Sequence, residues 1–397
     1  MREASRTDDF VIVKYAPDGN LLWADRYNSP QNNHETATAI ALSPAGDVLV
    51  TGRSSSTWGE PITSTTIKYT SDGFRQWVSQ YPFEHSVAPA IGVDSAGNVT
   101  LTGSSRRDFV TVRFNHAGQL VWTASYNGPG WTTDSAKGVA LDHSGNVLVL
   151  GDASEGDQSS LLVQKYTPTS MLLWEDRLEP GSDSSPTYFA LDGSNNLYVT
   201  GMMDGASDRF LIKYDSLGNR LWQVRYDSPD QGDDRARFLA VDPASYSYVV
   251  GETFNHATNR SSLLILHYDP NGNLLWVRRD EEGIYPDHIA RDPFGNLYVA
   301  AIADTLSYLA QYSPTGERLW SLTLPGWGWR LAVDAMGNLY AAGHAENRYI
   351  LAQYDPQGNL LWLDSHLVLE GGLSSGGDLE LDGRGYLYVQ NEQDSIR

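Results

Sequence analysis

The sequence predicts an all-β fold, an eight-bladed β-propeller with four antiparallel strands per blade. Three observations carry that prediction. Two hairpin units are each written eight times, the two alternate strictly along the chain, and the chain opens on one kind of half-repeat and ends on the other. Twelve Trp and 22 Tyr, with 37 Gly and 18 Pro to make turns, suit many short strands rather than long helices.

The first unit appears as "KYAPDGNLLW" (14–23), "HYDPNGNLLW" ending at Trp276 and "QYDPQGNLLW" ending at Trp362. An aromatic residue (Tyr15, Tyr69, Phe114, Tyr166, Tyr214, Tyr268, Tyr312 or Tyr354) stands eight residues before a Trp (Trp23, Trp77, Trp122, Trp174, Trp222, Trp276, Trp320 or Trp362). Gly lies four residues before the Trp in seven units, and Ser170 takes its place in the other. A tight hairpin turn needs positive φ at that position, which Gly supplies without strain, so no ligand is needed to explain it. The unit reads as an outer hairpin, with its Trp a buried wedge between blades.

The second unit reads "VDSAGNVTLTG" (93–103) or "VDAMGNLYAAG" (333–343): an apolar stretch ending in Asp, a turn with Gly, and an alternating strand that closes on Gly. Its Asp positions are Asp94, Asp142, Asp192, Asp242, Asp292, Asp334 and Asp382, with Ser43 in the first copy. Asp at a turn start accepts backbone N–H bonds, so these residues read as turn formers rather than metal ligands. Successive tryptophans are 42 to 54 residues apart, which gives two hairpins, or one four-stranded blade, per repeat.

The order of the hairpins predicts how the blades are completed. An outer hairpin opens the chain at residues 9–23 and an inner hairpin ends it at 379–390, with seven contiguous blades between. The two halves would form a composite blade from residues 1–23 and 379–397, making residues 1–397 a single propeller domain with its sheet edges covered. The alternative is a fragment whose missing blades lie outside this sequence.

The units resemble the bacterial extracellular β-propeller repeats known as SBBP repeats. The outer hairpin, as in "KYDSLGNRLW" (213–222), is also similar to the tryptophan-docking motif of pyrroloquinoline quinone dehydrogenases. The resemblance covers almost the whole chain and implies the architecture. Those enzymes set a vicinal Cys pair against their cofactor, and this chain has no Cys, so the resemblance extends to fold and no cofactor is expected.

Composition narrows the partners. A net charge of −21 repels nucleic acid and anionic membrane faces, leaving cations, basic proteins or neutral sugars. No apolar run is long enough to span a membrane. The start, "MREASRTDDF", lacks the apolar middle of a signal peptide, so the protein is either cytoplasmic or begins after a removed export signal. Zero Cys fits a secreted all-β protein, and an extracellular or periplasmic location is the expectation.

A site is sought where repeats differ. Four residues before the turn Asp, the eight copies read Ala39, Ala90, Gly138, Tyr188, Phe238, His288, Arg330 and Asp378. The preceding position reads Thr38, Pro89, Lys137, Thr187, Arg237, Asp287, Trp329 and Gly377. Three consecutive copies are small and five are large or charged, which predicts a lopsided axial mouth. Tyr188, Arg237, Phe238, Asp287, His288, Trp329, Arg330 and Asp378 are the candidate ligand contacts. The competing reading makes these bulky side chains plugs of a wide channel. Two residues before the turn Asp, a small residue is replaced once, by Glu380, and at the next position Arg291 replaces Leu or Val. Such charges need water or partners.

"DSPDQGDDR" (227–235) clusters four carboxylates without the spacing of a calcium loop, so it reads first as a solvated acidic loop and second as a Ca²⁺ site. Trp58, Trp131, Trp327 and Trp329 lie outside the repeated Trp positions and suit sugar stacking, a protein contact or loop packing. No metalloprotease helix motif, nucleophile elbow or phosphate loop appears. The expected function is therefore a non-catalytic binding or scaffolding propeller, monomeric or part of a larger assembly, recognising a protein or carbohydrate. A lyase or hydrolase acting on a sugar or peptide at the axial mouth is the alternative.

Overall fold

The computed structural model describes residues 9–31, 33–55, 63–83, 90–105, 107–128, 134–155, 158–178, 185–203, 208–228, 233–256, 258–303, 306–345, 348–368 and 378–393. These residues form eight four-stranded sheets, and no helix occurs among them. The fold is an eight-bladed β-propeller. Seven blades use four consecutive strands each, over residues 34–82, 90–126, 135–177, 185–226, 233–282, 284–325 and 327–368.

The eighth is composite. Its strand order is Leu21–Tyr27, Asp9–Tyr15, Leu387–Gln393, Asp378–Leu381, so the N-terminal pair is outer and the C-terminal pair inner. The antiparallel register runs from Asp9 opposite Gln393 to Tyr15 opposite Leu387. Both hairpins are longer than their sequence signatures, reaching Tyr27 and Gln393.

The chain divides into two compact units, residues 1–106, 112–122 and 325–397 in one and 107–111 and 123–324 in the other. In the first, the composite blade packs Phe10 and Ile12 against Ile40, Val50 and Ile67 of the next blade, and Val11 and Val13 against Tyr340 and Leu351 of the preceding one. In the second, Leu148, Val163, Val199 and Ile212 form one interblade core, and Val250, Ile265, Val299 and Ala310 form another. Middle strands are buried on both faces, as Asp9–Tyr15 is at all seven positions, while fourth strands alternate exposed and half-buried, as in Arg318–Pro325. One face of each outer strand packs inward and the other meets solvent.

The seams between blades use the repeated Trp. Within the first unit Trp23 lies against Gly73, Trp77 against Gly118 and Trp362 against Gly19; within the second, Trp174, Trp222 and Trp276 lie against Gly218, Gly272 and Gly316. A Cβ on Gly272 would stand 2.9 Å from the Trp222 ring, and its φ is +83°, so Gly is required there twice over. Each indole donates to a carbonyl of the same turn, for example Trp222 Nε1 to Pro270 O at 3.0 Å and Trp23 Nε1 to Ser71 O at 3.1 Å. The aromatic of the receiving hairpin stacks on that Trp, and its hydroxyl reaches back to an Asp of the same outer strand: Tyr214 lies 6.1 Å from Trp174 and donates to Asp176 at 2.7 Å. Trp222 is an interblade wedge, half-buried rather than fully buried.

The repeated turn Asp closes its own turn. Asp192 Oδ1 accepts the N–H of Ser194 and Asn196, and Oδ2 accepts the Asn196 amide; Asp94, Asp142, Asp292 and Asp334 repeat the pattern. The carboxylate oxygens are engaged by the turn that places them.

Candidate functional site

The first strand of each blade is where the copies differ, and in six blades its geometry is set by a β-bulge. Register shifts fall between Ala37 and Ala39, Ala136 and Gly138, Pro186 and Tyr188, Ala236 and Phe238, and Pro286 and His288. The extra residue is Thr38, Lys137, Thr187, Arg237 or Asp287. A bulge re-aims side chains and crowds the partner strand. Gly52, Gly151, Gly201 and Gly251 lie opposite, where a Cβ would collide with the carbonyl of Thr36, Ser135, Ser185 or Arg235. The Gly that ends the second sequence unit is thus the bulge's counterpart.

Four of these bulged side chains return to their own blade. Thr38 and Thr187 donate to the carbonyls of Thr51 and Thr200 at 3.3 Å, and Lys137 reaches Asp152 at 3.0 Å. Arg237 makes the strongest such link, two bonds of 2.7 and 2.8 Å to the buried Glu252. Those bonds, aided by the fields of Asp287 and Tyr285, hold its guanidinium protonated more firmly than usual despite partial burial. Arg209, wholly buried, donates to the Glu252 carbonyl; burial pulls its pKa down to about 10 against the opposing fields of Asp234 and Glu252.

In the second unit the residues after the bulge form a run along three neighbouring first strands. The rings of Tyr188 and Phe238 lie 6.0 Å apart at 59°, and those of Phe238 and His288 6.0 Å apart at 61°. Tyr188 is 40% exposed, and Phe238 and His288 are half-buried. Arg237 and Asp287 flank the run, so five of the predicted contacts fall together on this unit. Arg291, the charge that departs from its repeat, lies 4.0 Å from Asp242 of the neighbouring blade and is half-buried.

The other three belong to the first unit and behave differently. Trp329 is 2% exposed, its indole lying in the space left by Gly343. The longer register shift between Trp327 and Arg330 turns Trp329 inward, so it packs rather than meeting a surface ligand. Arg330 Nη1 donates to the Trp329 carbonyl at 3.4 Å. Asp378 accepts the Leu379 N–H at 3.0 Å and the Ile40 N–H, from the next blade, at 3.5 Å. Burial raises the Asp378 pKa, and these bonds and Arg330 oppose the rise. Two residues on, burial and then the charge of Asp378 push Glu380 up to about 8. Beside them His344 and Tyr349 are buried with rings 4.9 Å apart. The small side of the same unit, Ala39, Ala41, Ala90 and Gly92, carries no polar side chain.

No protein-family model matches the sequence. An uncharacterized WD repeat-containing protein of Acanthamoeba polyphaga mimivirus is 23% identical over 269 residues, 64% of this chain; the match spans 15% of that protein's length. Among solved structures, Sqt1 from Chaetomium thermophilum superposes with a TM-score of 0.61 at 13% identity, covering 91% of this chain and 97% of that one. A protein from Lactobacillus plantarum gives 0.53 at 13% identity over 91% and 97%. The β-propeller domain of the Trilobed protease from Pyrococcus furiosus gives 0.51 at 9% identity over 85% and 98%. These likenesses show the β-propeller fold.

Sequence reasoning missed a set of buried carboxylates at the start of first strands. Asp134 and Asp234 accept the N–H of Gly128 and Ser228 at 2.6 and 2.7 Å, and Glu35 accepts that of Ser29 at 3.3 Å. Each stands eight residues before its turn Asp or Ser43, a spacing visible in the chain. Asp234, which the acidic stretch 227–235 reads as part of a solvated loop, is fully buried. Residues 229–232 of that stretch, and Trp58, Trp131, Pro89 and Gly377, lie outside the described residues. Trp327 is 39% exposed. Among the described residues no group of three or more His, Cys, Asp and Glu is placed to hold a metal ion.

Proposed function

We propose that the protein is a non-catalytic binding propeller that recognises a protein partner through the aromatic run Tyr188–Phe238–His288 and the flanking Arg237 and Asp287. The observation that supports this most is the run itself: three rings in sequence on adjacent strands, the first exposed, beside an Arg held by Glu252. Aromatic and Arg side chains on a rigid support contribute most of the energy at protein interfaces, because little conformational entropy is lost when they are covered. The repeat signatures favour an SBBP-type protein acting outside the cytoplasm. The same rings also suit a carbohydrate ligand, since aromatic faces stack on sugars as well as on side chains.

Binders selected from a displayed peptide library on the wild type test the proposal. Replacing Phe238 with Ala should weaken them at least about tenfold, the loss expected of a central aromatic contact. Binders indifferent to Phe238→Ala and Tyr188→Ala would place the interaction elsewhere.

A second reading rests on Glu380. A carboxyl pushed up to about 8 by burial and by Asp378, itself in the field of Arg330, is suited to proton transfer, as a lyase or hydrolase requires.

A further inference from the structure

Just before its aromatic, the third strand of six blades carries Lys14, Lys68, Arg113, Lys165, Lys213 or His267; the other two carry Gln311 and Gln353. Lys165 shows the cation's place. Its Nζ lies 2.9 Å from Asp142 of its own blade's turn and donates to the Ser216 carbonyl of the next blade's turn at 3.0 Å. Lys213 repeats both contacts, 3.9 Å from Asp192 and 3.2 Å from the Pro270 carbonyl. Lys14 donates to the Ser71 carbonyl at 2.8 Å, and Lys68 lies 2.8 Å from Asp47.

In the 327–368 blade both acceptors are present without the cation. Asp334 has the same turn bonds as Asp142. The Pro17 carbonyl receives the Trp362 indole at 3.1 Å, as Ser216 receives that of Trp174 at 3.4 Å. The intervening residue is Gln353, buried, uncharged and hydrogen-bonded to the Tyr340 hydroxyl. The space left is a cavity of about 360 Å³ bordered by Pro17, Asp334, Met336, Tyr340, Gln353 and Leu361. Arg384 also borders it, but its guanidinium pairs with Asp382 at 3.0 Å and lies 5.2 Å from the Tyr386 ring.

We propose that this groove binds a primary ammonium on an alkyl stem, the lysyl side chain of a partner protein, in the position that Lys165 fills in its own blade. Asp334 and the Pro17 carbonyl receive the ammonium, while Pro17, Met336 and Leu361 cover the methylenes, as apolar surface does for lysine stems generally. The net charge of −21 draws a basic partner to the molecule. None of the residues of the aromatic run takes part, so the two ideas fail separately.

Titration calorimetry with Nα-acetyl-lysine methylamide is the test, with its Nε-acetylated form as control and spermidine as the free-amine competitor. The free ammonium should bind saturably and the acetylated form at least about tenfold more weakly, since a charge-assisted bond is lost. Gln353→Lys fills the groove from within and should reduce binding by a similar factor without lowering the melting temperature. Should that variant misfold, Asp334→Asn, which keeps the turn's acceptor oxygen, must reduce binding on its own. Absence of saturable binding, equal binding of the acetylated form, or unchanged affinity in a folded variant overturns the site. Tighter binding of spermidine than of the lysine derivative overturns the lysyl assignment.

Discussion

Trp23 and Trp222 belong to different blades and different units, yet their surroundings are the same. Each indole lies against a turn glycine of the next blade, Gly73 or Gly272, and donates to the carbonyl two residues before it. Tyr188 and Arg330 also hold equivalent places in their blades, and they share nothing: one is an exposed ring in an aromatic run, the other a cation in the field of Asp378, whose charge in turn helps raise the pKa of Glu380. The seam repeats because two blades fit in one way, and any departure costs packing. The first strand is released from that constraint by its bulge, which leaves the side chains on either side free to diverge. The recognition surface proposed above accordingly lies on the first strands.

The largest effect that could break this comparison is removal of residues 1–27. The strand Leu387–Gln393 would lose all its pairs from Asp9 to Tyr15, and Trp362 would lose Gly19 beneath it. An exposed edge and a lost seam should together remove more than about 5 kcal/mol, a large part of a domain's stability, and calorimetry should show no single cooperative transition. A truncated chain that melts like the full one would mean the composite blade contributes little.

Next in size is the seam itself. A fully buried Trp would cost 3–5 kcal/mol on truncation, but Trp222 is half-buried, so Trp222→Ala should cost about 2–3 kcal/mol in urea unfolding. Trp276→Ala, which removes the equivalent contact with Gly316, should cost the same within error. A large difference between the two would show that the repeated contact is not energetically repeated.

Much of this was readable in the sequence because turns and seams are local or periodic. Gly at four residues before Trp marks positive φ, and the Asp of the inner turn marks its own hydrogen bonds. The candidate site was readable only as a departure from the repeat. Position alone placed Trp329 beside Arg237 and Asp287, but the bulge decides where such side chains go, and its length differs in the 327–368 blade. The empty place of a lysine at Gln353 was present in the alignment of repeats, yet its meaning depends on the acceptors Asp334 and Pro17, which are far apart in the chain. The buried carboxylates Asp134 and Asp234 likewise satisfy backbone groups whose need is apparent only in three dimensions.

The smallest effect tests the charged side of the comparison through pH. Glu380 titrates at about 8 in the folded protein, because burial and Asp378 disfavour its anion, against an ordinary value of about 4.3 in the unfolded chain. Between these values the folded state holds a proton that the unfolded state has released. The contribution of Glu380 to stability is therefore fully present below about pH 4, falls as pH rises, and is lost once pH passes about 8. The full displacement corresponds to about 5 kcal/mol, and solvent reaching the half-buried carboxyl reduces that to about 1–3 kcal/mol. Glu380→Gln should match the wild type near pH 4 and exceed it by that amount at pH 9, in chemical unfolding followed by tryptophan fluorescence. Asp378 stays in the variant, and its own raised pKa should leave a shallower slope of the same sign. Parallel stability profiles for the two proteins would show that the Glu380 carboxyl is solvated, and would remove the observation on which an acid–base role for the composite blade rests.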